Sequence, residues 1–261
     1  IRVDDTAENE KIVIYYLAKK LNEIWFAKNK ELKMVLRKYS KYDYAFSEEV
    51  DKEISSLISE KIIDLKEIED VFILNNRNEL LAKKYGEYYT PKEIISFMIR
   101  ISDLYIKKNN VTAYDFSCGN GSILVELINK QEKVKSIYAN DIQDFCVFLS
   151  LVNCILVAEL SSREIELEIC CKDSLLETNL LDEKFDLVIG NPPYIGQQNN
   201  AKLFGQIKRH AFWKSFYKSK SDYLYYFIIH GIEMTKEGGV ICLITTRYWL
   251  TATNADILRG Y

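Results

Sequence analysis

Proline is nearly absent from this 261-residue chain: three occur, in only two places, Thr90-Pro91 and Pro192-Pro193. So sparse a use excludes proline-rich linkers and marks those two places as deliberately stiffened backbone. Histidine is scarcer still, with His210 and His230 alone, and the six cysteines (Cys118, Cys146, Cys154, Cys170, Cys171, Cys242) form no C-x-x-C pair. A zinc scaffold or disulfide framework is thereby excluded as the organising device, no metal is expected, and the thiols read as reduced. No apolar run reaches membrane-spanning length and no secretory signal precedes the first apolar cluster, so the expectation is a cytoplasmic protein without membrane contact. Positive charge is not in excess either: 35 Lys and Arg stand against 38 Asp and Glu, a net charge of -3. Contact with nucleic acid must therefore rest on local features.

What is present is ample apolar material, 48% of the chain, enough for one α/β domain with a substantial core and a smaller appendage. Residues 8–83 are rich in Lys and Glu, hold no Gly or Pro, and carry apolar residues at helical spacing, such as Ile54, Leu57, Ile58, Ile62 and Leu65. This predicts three or four helices, an N-terminal helical region over 1–83 packed on a domain over 84–261. After residue 110, β-rich runs at 112–116, 135–140, 165–171, 185–190 and 240–245 alternate with helical stretches. That alternation predicts a doubly wound parallel sheet, whose ligands bind beyond the carboxyl ends of the strands.

The first strand runs into Asp115-Phe116-Ser117-Cys118-Gly119-Asn120-Gly121-Ser122 ahead of an apolar helix. Two glycines one residue apart let the backbone turn sharply and approach a ligand at a helix N-terminus. A dinucleotide fingerprint would need a third glycine where Leu124 stands, so a nicotinamide cofactor is disfavoured. Asp115 at the strand end suits a cationic amino group better than a pyrophosphate. The second strand ends at Asp141, twenty residues after Gly121, where a carboxylate can accept from both ribose hydroxyls. The third ends at Asp173-Ser174, where a carboxylate can accept from an adenine amino group. Singly each acid reads as a surface residue or cap; in this order they describe a nucleoside-type cofactor site.

The fourth strand delivers Asn191-Pro192-Pro193-Tyr194. Two prolines stiffen the loop and remove amide donors, leaving carbonyls to accept. A planar amino group is a poor nucleophile because its lone pair is delocalised. Acceptance of its two hydrogens by the Asn191 side-chain oxygen and the Pro192 carbonyl favours a pyramidal nitrogen with its lone pair aimed at an electrophile, which is catalysis by orientation and preorganised electrostatics. Tyr194 offers a face for stacking a planar base.

These residues resemble the gamma class of amino-methylating DNA methyltransferases of restriction-modification systems, over about Tyr85 to Arg259. Gly86-Glu87-Tyr88-Tyr89-Thr90-Pro91, Asp115 to Gly121, Asp141-Ile142, Asp173-Ser174 and Asn191 to Tyr194 follow in the family's order. Asp222 to Phe227, Gly238-Gly239 and Thr245 to Leu250 resemble its pocket-wall helix and fifth strand. The resemblance implies a Rossmann-like S-adenosylmethionine-dependent methyltransferase fold with S-adenosyl-L-methionine as cofactor. It also implies that Thr90, Asp115, Ser117, Gly119, Gly121, Asp141, Ile142, Asp173, Ser174, Asn191 and Phe227 bind that cofactor, Thr90 at its methionine part and Phe227 at its adenine. Catalysis falls to Asn191, Pro192 and Tyr194 on a flipped-out adenine N6. Phe116 stands where the family often has Pro. The family continues into two further strands and a target-recognition domain past the point where this chain stops, so a truncated catalytic domain is expected, with double-stranded DNA as substrate and a specificity or endonuclease domain or subunit as companion.

From Leu187 to Ser221 there is no Asp or Glu, while Lys202, Lys208, Arg209, Lys214, Lys218 and Lys220 interleave with Phe204, Phe212, Trp213, Phe216 and Tyr217. Basic residues among aromatics suit a phosphate backbone and an unstacked base, and Gly196 and Gly205 predict a mobile loop; an amphipathic helix with its aromatics in the core is the alternative. Rival functions stay open: methylation of a glutamine amide in a protein, of an RNA amino group or of cytosine N4, and a partial binding domain that needs a recognition subunit.

Overall fold

A computed structural model of the chain describes residues 6–24, 29–59, 90–177, 184–198 and 200–261. Three helices lead: α1 (Thr6–Ile24), α2 (Lys30–Lys38) and α3 (Glu48–Ser59). The rest of the expected N-terminal helical region, its boundary at 83/84 and the segment Gly86 to Tyr89 lie outside the described residues. After α4 (Lys92–Asp103) come β1 (Val111–Asp115), α5 (Ser122–Lys130), β2 (Val134–Asp141), α6 (Asp144–Leu160), β3 (Glu166–Cys171) and β4 (Phe185–Gly190). Then follow α7 (Ala201–Arg209), α8 (Tyr223–Met234), β5 (Thr235–Leu243) and the short α9 (Asp256–Gly260).

The strands form one sheet in the order β3-β2-β1-β4-β5, all neighbours parallel. The chain winds outward from β1 through β2 to β3 and then returns to the other side of β1. The order reverses between β1 and β4, and that switch point opens a crevice at their carboxyl ends. Pleating divides the strands between two cores. Ala113, Leu187 and Ile189 face α4 and α5, while Tyr114, Phe116 and Val188 face the aromatic side chains of α8.

Apolar residues surround α6 on every side of its axis, from Cys146 and Val147 through Val152, Cys154 and Ile155 to Val157. Such a helix has to be covered all round. The N-terminal helices supply the outer cover: Ile14, Tyr15, Ala18 and Leu21 of α1 and Leu32 and Leu36 of α2 share a core with Phe148, Leu149, Val152 and Ile155.

The five expected strands are present, with one difference in extent. The fifth begins at Thr235 rather than 240, because the Gly238-Gly239 break lies inside it. Gly238 adopts a φ of +72°, and pairing with β4 jumps from Phe185–Thr235 to Leu187–Val240 across the extra residues.

At the amino ends of the strands, Asp186 is 7% exposed and fully engaged. It accepts from the Lys108 ammonium at 2.5 Å, the Lys236 ammonium at 3.0 Å, and the Thr112 amide and hydroxyl at 3.1 and 2.8 Å. Burial pushes its pKa up, but these donors together hold the carboxyl well below the usual carboxylate range. A depressed carboxyl contributes stability that is present above its unfolded-state pKa and lost as pH falls through the folded one. Asp186→Asn is expected to cost about 1–3 kcal/mol of unfolding free energy at neutral pH. In urea titrations at several pH values the gap to wild type should narrow below pH ~4. A gap independent of pH would assign the loss to packing instead.

Candidate active site

The turn after β1 is shaped by its glycines and pinned from α6. Gly121 has a φ of +85°, and a Cβ there would lie 2.9 Å from Ser150 Oγ and 3.0 Å from Ser150 Cα, so only glycine fits against that helix. Ser150 Oγ donates to Gly119 O at 2.8 Å and Asn153 Nδ2 donates to Asn120 O at 2.9 Å. These two buried supports are not among the residues singled out from the sequence. Two polar side chains three apart on an otherwise apolar helix were the available signal.

Asp115 is completely buried. Its Oδ1 accepts from the Ser117 amide at 3.0 Å, while Oδ2 has no hydrogen-bond partner. Burial pushes the carboxyl up to about 7; the Ser117 amide opposes that shift and the nearby Asp141 charge adds to it. A buried carboxylate oxygen without a partner calls for a donor from a ligand, best a cationic one. Above the turn, Gly119 has a φ of +55°, with no atom within 4 Å of where a Cβ would stand. The unpartnered acceptor and this open approach fit the ammonium-bearing end of S-adenosylmethionine.

Asp141 serves the same turn, accepting from the Gly119 amide at 2.9 Å through Oδ2 and from the Gln143 amide at 2.8 Å through Oδ1. Burial raises its pKa against those amides. Beside it, Ile142 is 66% exposed, an apolar side chain left in the open at the mouth of the crevice. Asp173 caps the turn after β3, accepting from the Leu175 and Leu176 amides at 3.0 and 3.2 Å, and Ser174 Oγ donates to Phe116 O at 2.7 Å. Both residues have evident structural tasks: Asp173 closes its own turn, and Ser174 latches the loop after β3 to the loop after β1. Phe227 is 5% exposed in the aromatic core, its ring 5.0 Å from that of Phe116.

The loop after β4 meets this turn directly. Gly190 makes the approach feasible, because a Cβ there would stand 2.9 Å from Asp115 Oδ1. Ser117 Oγ donates to Asn191 O at 3.2 Å. The Asn191 amide is held at both ends: Nδ2 donates to Thr90 Oγ1 at 3.1 Å, and Oδ1 accepts from the Tyr194 hydroxyl at 2.9 Å. Thr90, just ahead of α4, is 7% exposed, and Pro192 is buried. Contact between Thr90 and Asn191 spans 101 residues of sequence, and nothing local announces it.

The acid-free segment differs from the mobile loop expected of it. Residues 201–209 form α7, with Phe204 and Ile207 inside, and Trp213 is wholly buried with its indole donating to Leu175 O. Phe204 and Trp213 therefore belong to the core rather than to a DNA-facing surface, and Gly205 lies within a helix. The aromatics outweigh the glycines because burying each large ring removes far more apolar surface from water than a helical glycine costs. Lys202, Lys208, Arg209, Lys214 and Lys220 are exposed, while Lys218 pairs with Asp256 at 2.6 Å. His230 is sealed beside Tyr114, and burial lowers its pKa to about 3, so it stays neutral inside the aromatic core. Among the described residues no cluster of three His, Cys, Asp or Glu side chains is placed to hold a metal, and no helix is long and apolar enough to cross a membrane.

Comparison with known proteins places this geometry in context. The chain is 29% identical over 181 residues to the Type II methyltransferase M.HincII of Haemophilus influenzae, taking in 67% of this chain and 30% of that enzyme. It is 27% identical over 129 residues to the Type I restriction enzyme MjaIX methylase subunit of Methanocaldococcus jannaschii, 47% of this chain and 21% of that protein. The chain thus spans less than a third of either relative. A type I restriction-modification methyltransferase subunit from Streptococcus thermophilus superposes with a TM-score of 0.57 at 17% identity, over 95% of this chain and 58% of that one. A structure described as a class I S-adenosylmethionine-dependent methyltransferase from Listeria monocytogenes gives 0.57 at 20% identity, over 97% and 78%. At such identities the likeness establishes the fold, the Rossmann-like one of S-adenosylmethionine-dependent methyltransferases. A family model described as N-6 DNA Methylase matches residues 67–257, which include every strand of the sheet and the whole crevice between β1 and β4, and the chain belongs to that family.

Proposed function

We propose that this chain carries the cofactor site and the transfer chemistry of a gamma-class, site-specific DNA adenine-N6 methyltransferase. The observation that supports this most is the junction of the two loops: the Asn191 amide, clamped by Thr90 and Tyr194, adjoins a turn whose buried Asp115 lacks a partner for one oxygen. When bound, S-adenosyl-L-methionine supplies an electrophilic methyl carbon. In this reading Asp115 receives its ammonium group, Asp141 its ribose, Asp173 and Ser174 the edge of its adenine, and Ile142 and Phe227 the faces of that ring. Thr90, Ser117, Gly119 and Gly121 shape the methionine end.

Asn191 Oδ1 and the Pro192 carbonyl accept the two hydrogens of the target amino group. That localises the nitrogen lone pair and stabilises the positive charge that develops on the nitrogen during transfer, with no general base required. Tyr194 stacks on the extruded base, contributing roughly 1–3 kcal/mol toward an unstacking cost of a few kcal/mol. Beside the loop lies a cleft of about 810 Å³ lined in part by Gly196, Gln197, Lys220, Tyr225, Tyr248 and Asn254. We assign it, with the exposed lysines of α7, to the DNA strand around the extruded base. Relatives named as Type I methylase subunits favour a companion unit, a specificity or endonuclease domain or subunit, for site choice. The place of work is the cytoplasm, with the DNA.

The test is methylation of unmethylated genomic DNA by the full chain, alone and with its companion unit, read as N6-methyladenine by mass spectrometry. Product on cytosine N4, on RNA or on a glutamine amide of a protein, with none on adenine in DNA, overturns the assignment. Asn191→Ala is expected to lower turnover by about 10²–10³-fold, the scale of losing one preorganised polar contact. Its cofactor affinity by calorimetry should stay near wild type; weak cofactor binding with normal turnover would remove the role.

Asp115 gives a pH signature. Its carboxyl, held at about 7, must be ionised to receive an ammonium group, so cofactor affinity should fall as pH drops below about 7, by up to tenfold per unit. Asp115→Asn should bind weakly and without that slope. Affinity constant between pH 5.5 and 8 in the wild type would detach Asp115 from the ammonium.

A further inference from the structure

Tyr194 carries a single hydroxyl proton, yet its oxygen lies within hydrogen-bond reach of two acceptors, Asn191 Oδ1 at 2.9 Å and the Ile244 carbonyl at 3.0 Å. Only one of them can be served at full strength at a time. The opposite end of the same amide is fixed by Thr90, whose oxygen accepts from Nδ2 at 3.1 Å. An asparagine amide is nearly symmetric in shape, and a half-turn about its last bond exchanges an acceptor for a donor. An exchanged amide would point N–H groups at a nucleophile that itself carries N–H groups. Correct polarity at Asn191 is therefore a condition for the proposed reaction, and the backbone of a proline-stiffened loop does not set it.

We propose that the hydroxyls of Thr90 and Tyr194 are positioning groups that hold the Asn191 amide in the observed orientation, and that the Tyr194 proton acts as a placeholder for the substrate. Without substrate it is donated to Asn191 Oδ1 and keeps that oxygen turned toward the site. When an amino group arrives, the proton swings to Ile244 O, and Oδ1 gives its acceptor strength to the substrate. No bond is made or broken; one hydroxyl rotor moves. Ile244 is itself anchored, its amide donating to Gly190 O at 3.0 Å, so the alternative acceptor sits at a fixed distance from the loop. This inference deepens the methyltransferase reading and gives Tyr194 a second role, distinct from its ring face.

The variants are Tyr194→Phe, which keeps the ring and removes the proton, Thr90→Val, which removes the acceptor at constant shape, and Thr90→Ser, which restores it. Thermal unfolding establishes that each is folded. The direct readout is the Asn191 side-chain amide in asparagine-labelled full chain, followed by NMR without cofactor or DNA. A hydrogen-bonded, slowly exchanging Nδ2 proton is expected in the wild type and in Thr90→Ser, and a fast-exchanging one in Thr90→Val.

On unmethylated genomic DNA, kcat is expected to fall about three- to tenfold in Tyr194→Phe and Thr90→Val, the scale of one orienting hydrogen bond. KM for DNA should be unchanged in Tyr194→Phe and raised in Tyr194→Ala, where the stacking face is also gone. An Asn191 amide signal unaltered in Thr90→Val overturns the clamp whatever the activity. An altered signal with undiminished kcat in both variants removes its catalytic meaning. If the wild type methylates no DNA, the methyltransferase reading fails, and the amide signal still decides the clamp.

Discussion

The close approach of β1 and β4 at their carboxyl ends is the constraint on which the crevice depends, and it is set by one missing side chain. A Cβ on Gly190 would stand 2.9 Å from Asp115 Oδ1, so any other residue would have to displace the buried Asp115 carboxylate. Ser117 ties across that gap to the Asn191 carbonyl, and two further ties flank it: Ser174 to the Phe116 carbonyl, and the Ile244 amide to the Gly190 carbonyl. Through them the loops after β1, β3, β4 and β5 become one assembly. The turn that suits a nucleoside cofactor and the amide that suits an amino-group acceptor then occupy the same few ångströms.

Two buried aspartates at opposite ends of the central strands show how the fold divides its charge. Asp186, at the amino ends, is saturated by two ammonium groups, an amide and a hydroxyl, and its pKa is held low. Asp115, at the carboxyl ends, is more deeply buried and has one oxygen with no partner, and its pKa is pushed up to about 7. The first arrangement stabilises the sheet. The second costs stability in the absence of a ligand, a pattern expected where a fold reserves a group for binding.

Much of this was legible in the residues themselves. Strand positions followed from short β-rich runs between helical stretches, and the glycine turn, the strand-end acids and the Asn-Pro-Pro-Tyr loop followed from residue types at fixed spacing. The aromatics of 204–217 were harder, because exposed and buried rings have the same composition. Phe204 and Trp213 proved to be core, while Lys208 and Arg209 between them face solvent. That an N-terminal helical region would pack on the domain was expected from the sequence; that α1 and α2 cover α6 in particular was hinted at only by that helix being apolar all round.

The sequence alone determined the chemistry of each strand end, since backbone stiffness, acceptor capacity and charge belong to individual residues and travel with them into any fold. Tertiary structure decided which of these ends meet and which way they face. Thr90 and Asn191 lie 101 residues apart and meet only because the start of α4 lies against the loop after β4; Tyr194 finds a second acceptor fifty residues on at Ile244 because parallel β4 and β5 bring their carboxyl ends to one edge. The physical reason is that hydrogen-bond partnership depends on distances of about 3 Å. Sequence spacing does not encode such distances once a sheet reverses its order.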